Sequence, residues 1–384
     1  MRVLVVTVVH HPEDARIRHR QIAALLDAGH EVTYIAPFGG YGLPTPPPSD
    51  GLLPVGVPRA VGRRRLRALR AVRREIATRA PGADVVLLHD PELLVAIAGL
   101  RRLPAVVWDV HEDTAAALRM KAWLPRPARP VAAAAVHWAE RWAERRYRVL
   151  LAETGYQTRF SREWPVVPNT TYVPPRVLPP GVDRVVYVGH LSRARGALDM
   201  VELARLLAPA GVRVELAGAA DGEARPALEE AQRAGVLRWT GYLPNAEAMR
   251  LLDGALAGLS LLHDQPNYRH SQPTKVIEYM AHGVPVLTTP LPPARALVEQ
   301  HAAGLVVPFN DPPAVANAVL QLRDDPALRE RAGRHGHAVA SEQFHWPAQA
   351  KDFVKQLEDW AAATPPPRPT PPPPTPPRPN PPRS

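Results

Sequence analysis

The feature that most limits how this chain can fold is an alternation. Short apolar runs are separated by stretches whose apolar residues recur at helical spacing, and the pattern runs through most of the 384 residues. Strand followed by helix argues for parallel sheets covered by helices, because a parallel neighbour can be reached only by a long crossover. In the first half the strand candidates are RVLVVTVV (2–9), EVTYIA (31–36), DVVLLH (84–89), AVVWDV (105–110) and RVLLAE (148–153). In the second they are RVVYVG (184–189), VRVELAG (212–218), VLRWTG (236–241), ALAGLSLL (255–262), VPVLTT (284–289) and GLVVP (304–308). Between the first two, RIRHRQIAALLDAG places Ile22, Leu25 and Leu26 on one face and reaches Gly29, a natural helix stop. The prolines of TYVPPRVLPPGV (171–182) break the alternation and read as a linker. The expected fold is α/β: two Rossmann-like domains at 1–172 and 183–346, then a helix at 347–363 that packs back on the first domain. A proline-rich tail at 364–384 forms neither helix nor sheet.

Composition narrows the function. With no cysteine, disulfides, thiol catalysis and cysteine zinc sites are excluded. The apolar N-terminal run turns polar at His10, His11 and Pro12, too soon for a signal peptide, and no uncharged stretch has the length of a membrane span. A soluble, cytoplasmic protein is expected. The net charge of +10 comes almost wholly from arginine and is concentrated in GRRRLRALRAVRREIATR (62–79) and ERWAERRYR (140–148). The first cluster reads as a solvated helix face or as a face for an anionic surface, either a membrane or a phosphate-bearing acceptor. No aromatic-interleaved motif or zinc finger turns that charge into base recognition, so nucleic acid is not an expected partner.

Open α/β sheets bind ligands beyond the C-terminal ends of their strands. In the first half those ends carry HHPEDAR (10–16), HDPELL (89–94) and HEDTAA (111–116), which gather His10, Asp14, Arg16, His89, Asp90, His111 and Glu112. Asp14 and Arg16 either touch an acceptor or pair with each other, and His89 and Asp90 fit loop packing or capping as well as acceptor contact. In the second half GHLSRARG (189–196) brings Arg193 and Arg195 to a helix start, where free N–H groups and the dipole favour an anion. In HSQPTKVIEYMAHGVPVL (270–287) Pro273 suits the first helical position, and Ile277, Met280, Ala281 and Val284 form a buried stripe. Lys275 and Glu278 share the opposite face, three residues apart. They are either an exposed pair or, with Arg195 and the helix start, a diphosphate and sugar site.

YVGHLSRARG together with PTKVIEYMAHGVPVLTT resembles the nucleotide-sugar-binding domain of GT-B glycosyltransferases, in particular the retaining family 4. VVHHPEDARIRHRQIAALLDAGHEVTYIA, LLHDPELL and WDVHEDTAA are similar to that family's N-terminal domain. The resemblance covers about residues 1–360. It implies a hexosyltransferase using a UDP- or GDP-linked sugar, retaining, needing neither metal nor cofactor beyond that co-substrate. Arg195 and Lys275 would hold the diphosphate, aided by Gly189 and Arg193. Glu278 would bind the ribose, with Thr274 and His270 toward the sugar, and His111 would contact the sugar near the reacting centre. Tyr242 and Asn245 in GYLPN fall where such enzymes often hold the base. His10, Asp14, Arg16, His89, Asp90 and Glu112 would face the acceptor, a sugar or a lipid-linked molecule handled at the inner membrane surface in polysaccharide or glycolipid assembly. The sequence departs from the family pattern at His270, where the family has glutamate, at His190, where it has arginine, and at His10-His11-Pro12, where a Gly-Gly loop is common. His270 in place of the family's glutamate keeps a non-catalytic GT-B module as a second reading; a sugar-nucleotide 2-epimerase, which shares the fold but lacks the PTKVIEYMAHGVPV pattern in this form, ranks below it.

Overall fold

The computed structural model describes residues 1–111, 128–266 and 268–363; Glu112, the rest of HEDTAA and the tail at 364–384 lie outside the described residues. Two six-stranded parallel sheets form the frame. The first contains β1 (Arg2–Val6), β2 (Glu31–Ala36), β3 (Leu52–Gly56), β4 (Val85–Leu88), β5 (Ala105–Val110) and β6 (Arg148–Leu151), in the order β3-β2-β1-β4-β5-β6. The second contains β7 (Arg184–Val188), β8 (Arg213–Ala217), β9 (Arg238–Trp239), β10 (Ala257–Ser260), β11 (Val286–Thr288) and β12 (Gly304–Val306), in the order β12-β11-β10-β7-β8-β9. Each sheet reverses its winding beside its first strand, between β1 and β4 and between β7 and β10, which opens a crevice at the strand ends.

The α/β two-domain architecture is the one expected, with two local differences. β3 was not anticipated, since Leu-Leu-Pro-Val-Gly places a proline inside the run. It sits at a sheet edge, where a missing N–H breaks no central ladder. β1 stops at Val6 rather than Val9 because the Asp90 carboxylate accepts from the N–H groups of Val8 and Val9 and from the Thr7 hydroxyl. The chain thereby leaves the ladder and turns His10 toward the crevice.

Helices cover both faces of the first sheet. Arg65–Arg79, Glu92–Ile97 and Ala128–Glu144 lie on one face, over Leu4, Val86 and Trp108. On the other, the helical segment Ile17–Asp27 is joined by the last helix, Trp346–Ala362. That helix buries Trp346, Phe353, Val354, Leu357 and Trp360 beside Val3, Val5 and Tyr34 of the first domain. The two crossings between domains run side by side: Thr171 N–H donates to Phe344 O (3.0 Å) and Trp346 N–H to Thr171 O (2.8 Å). Among the described residues, no helix is long and apolar enough to cross a membrane.

Candidate active site

In the second domain the site is built where β7 ends. Gly189 has φ +137°, and a Cβ there would lie 2.5 Å from Lys275 Cε and 2.8 Å from its Nζ. Only glycine lets the lysine lie across the strand end. Arg193–Arg195 form a short helical turn, and Gly196, at φ +77°, leads from it into the helix Ala197–Leu207; a Cβ at 196 would meet Leu261 O at 2.4 Å. Arg195 lies half-buried beside the hydroxyls of Tyr187 and Tyr268. Burial opposes its charge, but these hydroxyls more than offset that and raise its pKa.

Lys275 stands in the first turn of the helix Thr274–Ala281. Pro273, expected at the first helical position, is instead the residue that precedes it. The buried face is wider than expected: Val276 and Tyr279 join Ile277, Met280 and Ala281, and Tyr279 Oη donates to Leu259 O at 2.9 Å. Lys275 and Glu278 are therefore half-buried rather than exposed. Burial and the neighbouring Arg195 push the Lys275 pKa down to about 8, against the attraction of Glu278. Among the described residues the ammonium has no hydrogen-bonded or ion-paired carboxylate; it stands over the face of Tyr187, 5.4 Å from the ring centroid. Burial raises the Glu278 pKa in turn, opposed by Lys275 and by Arg20 of the first domain. Two cations and a helix start thus converge where, among the described residues, no carboxylate forms an ion pair with Lys275, and Glu278, able to accept hydroxyl hydrogen bonds, lies one turn further along.

The other residues expected around the donor are placed differently from one another. Arg193 is exposed and pairs with Glu223 at 3.1 Å, so it is engaged away from this cluster. His270 is exposed in the turn before the helix, and Thr274 is the first helical residue. Asn245 is exposed at the start of the helix Asn245–Arg250. Tyr242 is 57% exposed, yet its ring centroid lies 5.4 Å from that of His11, so it reaches the first domain across the crevice.

In the first domain the polar strand ends form a connected network under Asp109, the penultimate residue of β5. Its fully buried carboxylate receives a two-point contact from Arg16, Nε and Nη2 at 2.7 Å each, and a hydrogen bond from Gln21 Nε2 at 2.9 Å. Burial works against its charge, but Arg16 and His89 hold its pKa well below the carboxylate range. Arg16 also donates to Val167 O and Asn169 Oδ1. It does not pair with Asp14, whose carboxylate caps the following turn by accepting from the N–H groups of Arg16 (2.9 Å) and Ile17 (3.0 Å). His89 and Asp90 are likewise buried, 2% and 1% exposed. Arg16, His89 and Asp90, read from sequence as acceptor-side residues, lie beneath the surface an acceptor could reach, where they shape it.

That scaffold aims two histidines at the crevice. His111 Nδ1 lies 3.2 Å from Asp109 O, and its Nε2 lies 2.9 Å from His10 Nε2. Burial, together with His10, His89 and Arg16, outweighs the attraction of Asp109 and lowers the His111 pKa to about 3. The ring is therefore neutral, with Nδ1 toward Asp109 and Nε2 toward His10. His10 Nε2 also lies 3.2 Å from Asp90 Oδ1. His89, Asp109 and His111 offer ligand atoms within 4.8 Å of one another, close enough to share a metal ion. The Arg16 guanidinium already covers both Asp109 oxygens, however, so a second cation there meets like charge at short range.

Asp109, Tyr187, Tyr268 and Arg20 were not singled out from sequence as site residues. Asp109 carried a signal, since an acid inside an otherwise apolar strand needs a buried partner. The tyrosines carried none, because their role depends on which strand ends meet.

Two family models match the chain: one for group 1 glycosyl transferases over residues 182–325 and one for the glycosyl transferase 4-like domain over residues 15–176. A curated relative, alpha-D-kanosaminyltransferase of Streptomyces kanamyceticus, is 29% identical over 164 residues, which span 42% of this chain and 41% of that protein. Among solved structures, the sucrose-phosphate synthase of Thermosynechococcus elongatus superposes with a TM-score of 0.73 at 18% identity, covering 94% of this chain and 99% of that one. The Anabaena protein HepE, in complex with UDP and glucose, gives 0.67 at 15% identity, covering 94% and 100%. At these identities the structures establish the fold, and the two family models together account for both domains. The chain belongs to the GT-B glycosyltransferases of the group 1, family 4-like kind.

Proposed function

We propose that the protein transfers a hexose-type sugar, with retention of configuration and without a metal clamp, from a UDP- or GDP-linked donor to a sugar or lipid-linked acceptor in polysaccharide or glycolipid assembly. One observation carries this reading: Lys275 is a half-buried cation beside Arg195 at a helix start, with no ion-paired carboxylate among the described residues. A nucleoside diphosphate supplies the missing charge. As the glycosidic bond to the diphosphate breaks, negative charge grows on the leaving oxygens, and fixed cations with helix N–H groups stabilise it there without reorganising. Glu278 accepts from the ribose hydroxyls. The neutral His111 serves the donor sugar as a hydrogen-bond partner rather than as an acid. A UDP donor is supported by the UDP bound to HepE, and a base position near Tyr242 and Asn245 by the reach of the Tyr242 ring to His11 across the crevice.

The test is incubation with UDP- and GDP-hexoses in the absence of acceptor. Slow release of nucleoside diphosphate from one of them, lost in Lys275→Met and in Arg195→Met, is expected. Nucleotide binding without release across a broad acceptor panel would instead mark a non-catalytic module, and His270 in place of the family's glutamate is the residue that would account for it.

A further inference from the structure

The helix Ala128–Glu144 carries an apolar stripe on its outer side. Val131 (70% exposed) and Trp138 (71% exposed) face solvent with Ala135 between them, at spacings of four and three that put them on one face. Across from this stripe the helix Glu92–Ile97 presents Val95, 71% exposed. Between the two helices runs a predominantly apolar groove of about 670 Å3, with Trp108 of β5 among its lining residues, Trp138 and Trp142 on one side, and Arg65 at its rim. Arg65 opens the basic helix Arg65–Arg79, and Arg63, Arg64 and Arg67 beside it are all exposed.

We propose that this groove binds the hydrocarbon chain of a phosphate-bearing membrane lipid, with the arginines holding the phosphate. Apolar side chains on the solvent face of a helix, flanked by tryptophan and arginine, suit the boundary between headgroups and acyl chains, where aromatic rings and cations are both favoured. Charge complementarity selects an anionic lipid, because the exposed arginines are drawn to the negative potential of such a surface. The groove also lies against the catalytic edge. Trp108 immediately precedes Asp109, and Glu92, which meets Arg65 at 3.4 Å, follows Asp90 by two residues. A chain seated here leaves its phosphate at the rim where Arg65 meets Glu92, a carboxyl that also feels the charges of Asp90 and His10. The inference thus rests on the transferase reading for its consequence, which is that the acceptor is lipid-linked and delivered from the membrane surface.

The experiment is co-sedimentation of the full chain with phosphatidylcholine vesicles, with and without phosphatidylglycerol, and quenching of its fluorescence by chain-brominated phosphatidylcholine. The parent chain should bind the anionic vesicles and be quenched, with most of the quenching lost in Trp138→Phe. Trp138→Ser combined with Val95→Ser should weaken vesicle binding about tenfold and leave nucleoside diphosphate release in lipid-free buffer unchanged. Both residues are over 70% exposed, so the fold should persist, and the melting temperature checks that. Arg63→Ser with Arg64→Ser and Arg67→Ser should remove the preference for phosphatidylglycerol. Equal binding by the Trp138/Val95 variant and the parent, or no quenching of the parent, overturns the proposal. Vesicle binding without any donor turnover defeats the transferase reading and leaves the groove standing; turnover without vesicle binding does the reverse.

Discussion

Replacing Lys275 with methionine should stabilise the empty protein and disable the donor site together. The fall of the Lys275 pKa from the ordinary 10.5 to about 8 corresponds to about 3 kcal/mol of penalty on the charged form. Water reaching the half-buried ammonium cuts this to about 1–2 kcal/mol. Below pH 8 both folded and unfolded chains hold the proton, so the penalty is fully present. Between pH 8 and 10.5 the unfolded chain keeps the proton while the folded one releases it, and native stability rises with pH. Lys275→Met, which keeps the stem and removes the charge, should therefore raise the melting temperature at pH 7 by about 2–8 °C, with the gain shrinking toward pH 10. The same variant loses a charge-assisted contact to phosphate of about 1.5–3 kcal/mol, or about 10- to 150-fold in UDP affinity. In the parent, UDP affinity should fall about tenfold per pH unit above 8, as the free ammonium deprotonates. Differential scanning fluorimetry with and without UDP, at pH 7 and 9.5, reads all three effects. A destabilised Lys275→Met that keeps the full UDP-induced shift would refute the view that this cation waits for an anion.

Gly189→Ala should act on the same site from below. The new Cβ displaces the lysine stem and must adopt φ +137°, costing about 1–3 kcal/mol, and UDP titration should show weakened affinity in a protein that still folds. Arg16→Met leaves the Asp109 carboxylate buried without its arginine, held only by Gln21 and His89, and should lower the unfolding free energy by about 3–5 kcal/mol; adding Asp109→Leu should recover much of that in urea titrations. His111 stays neutral in the fold down to about pH 3, whereas in the unfolded chain it takes up a proton below about 6.5. Stability should therefore fall through that window, by up to about 1.4 kcal/mol per pH unit. His111→Gln should flatten this acid limb, and turnover of the parent between pH 5 and 8 should show no step from His111.

The parallel α/β frame was legible because its signal is repeated: eleven of the strands stand near apolar runs between helical segments. The one strand without such a signal, Leu52–Gly56, is an edge strand containing Pro54, and edge position cannot be read from a local pattern. Strand ends were overextended where a distant side chain decides them, as Asp90 does for β1. In the candidate site, the placement of Lys275 and Arg195 at helix starts was legible, because strand ends that lead into helices are marked in the sequence. Their energetic character was not, since it depends on Tyr187 and Tyr268 beside Arg195 and on the close approach that Gly189 permits. Arg16 illustrates the limit in the first domain. Beside Asp14 in the chain, it reaches Asp109, 93 residues away, at 2.7 Å, and a loop residue becomes a buried post for the two histidines.

Calorimetric titration of the protein with UDP and with GDP at pH 8.5, above the Lys275 pKa of about 8, tests the central claim most directly. A single site for one of them is predicted, with proton uptake as the Lys275 pKa is drawn back up, and with both binding and uptake lost in Lys275→Met. No binding of either nucleotide, or binding unaltered when Lys275 and Arg195 are both replaced by methionine, would contradict it.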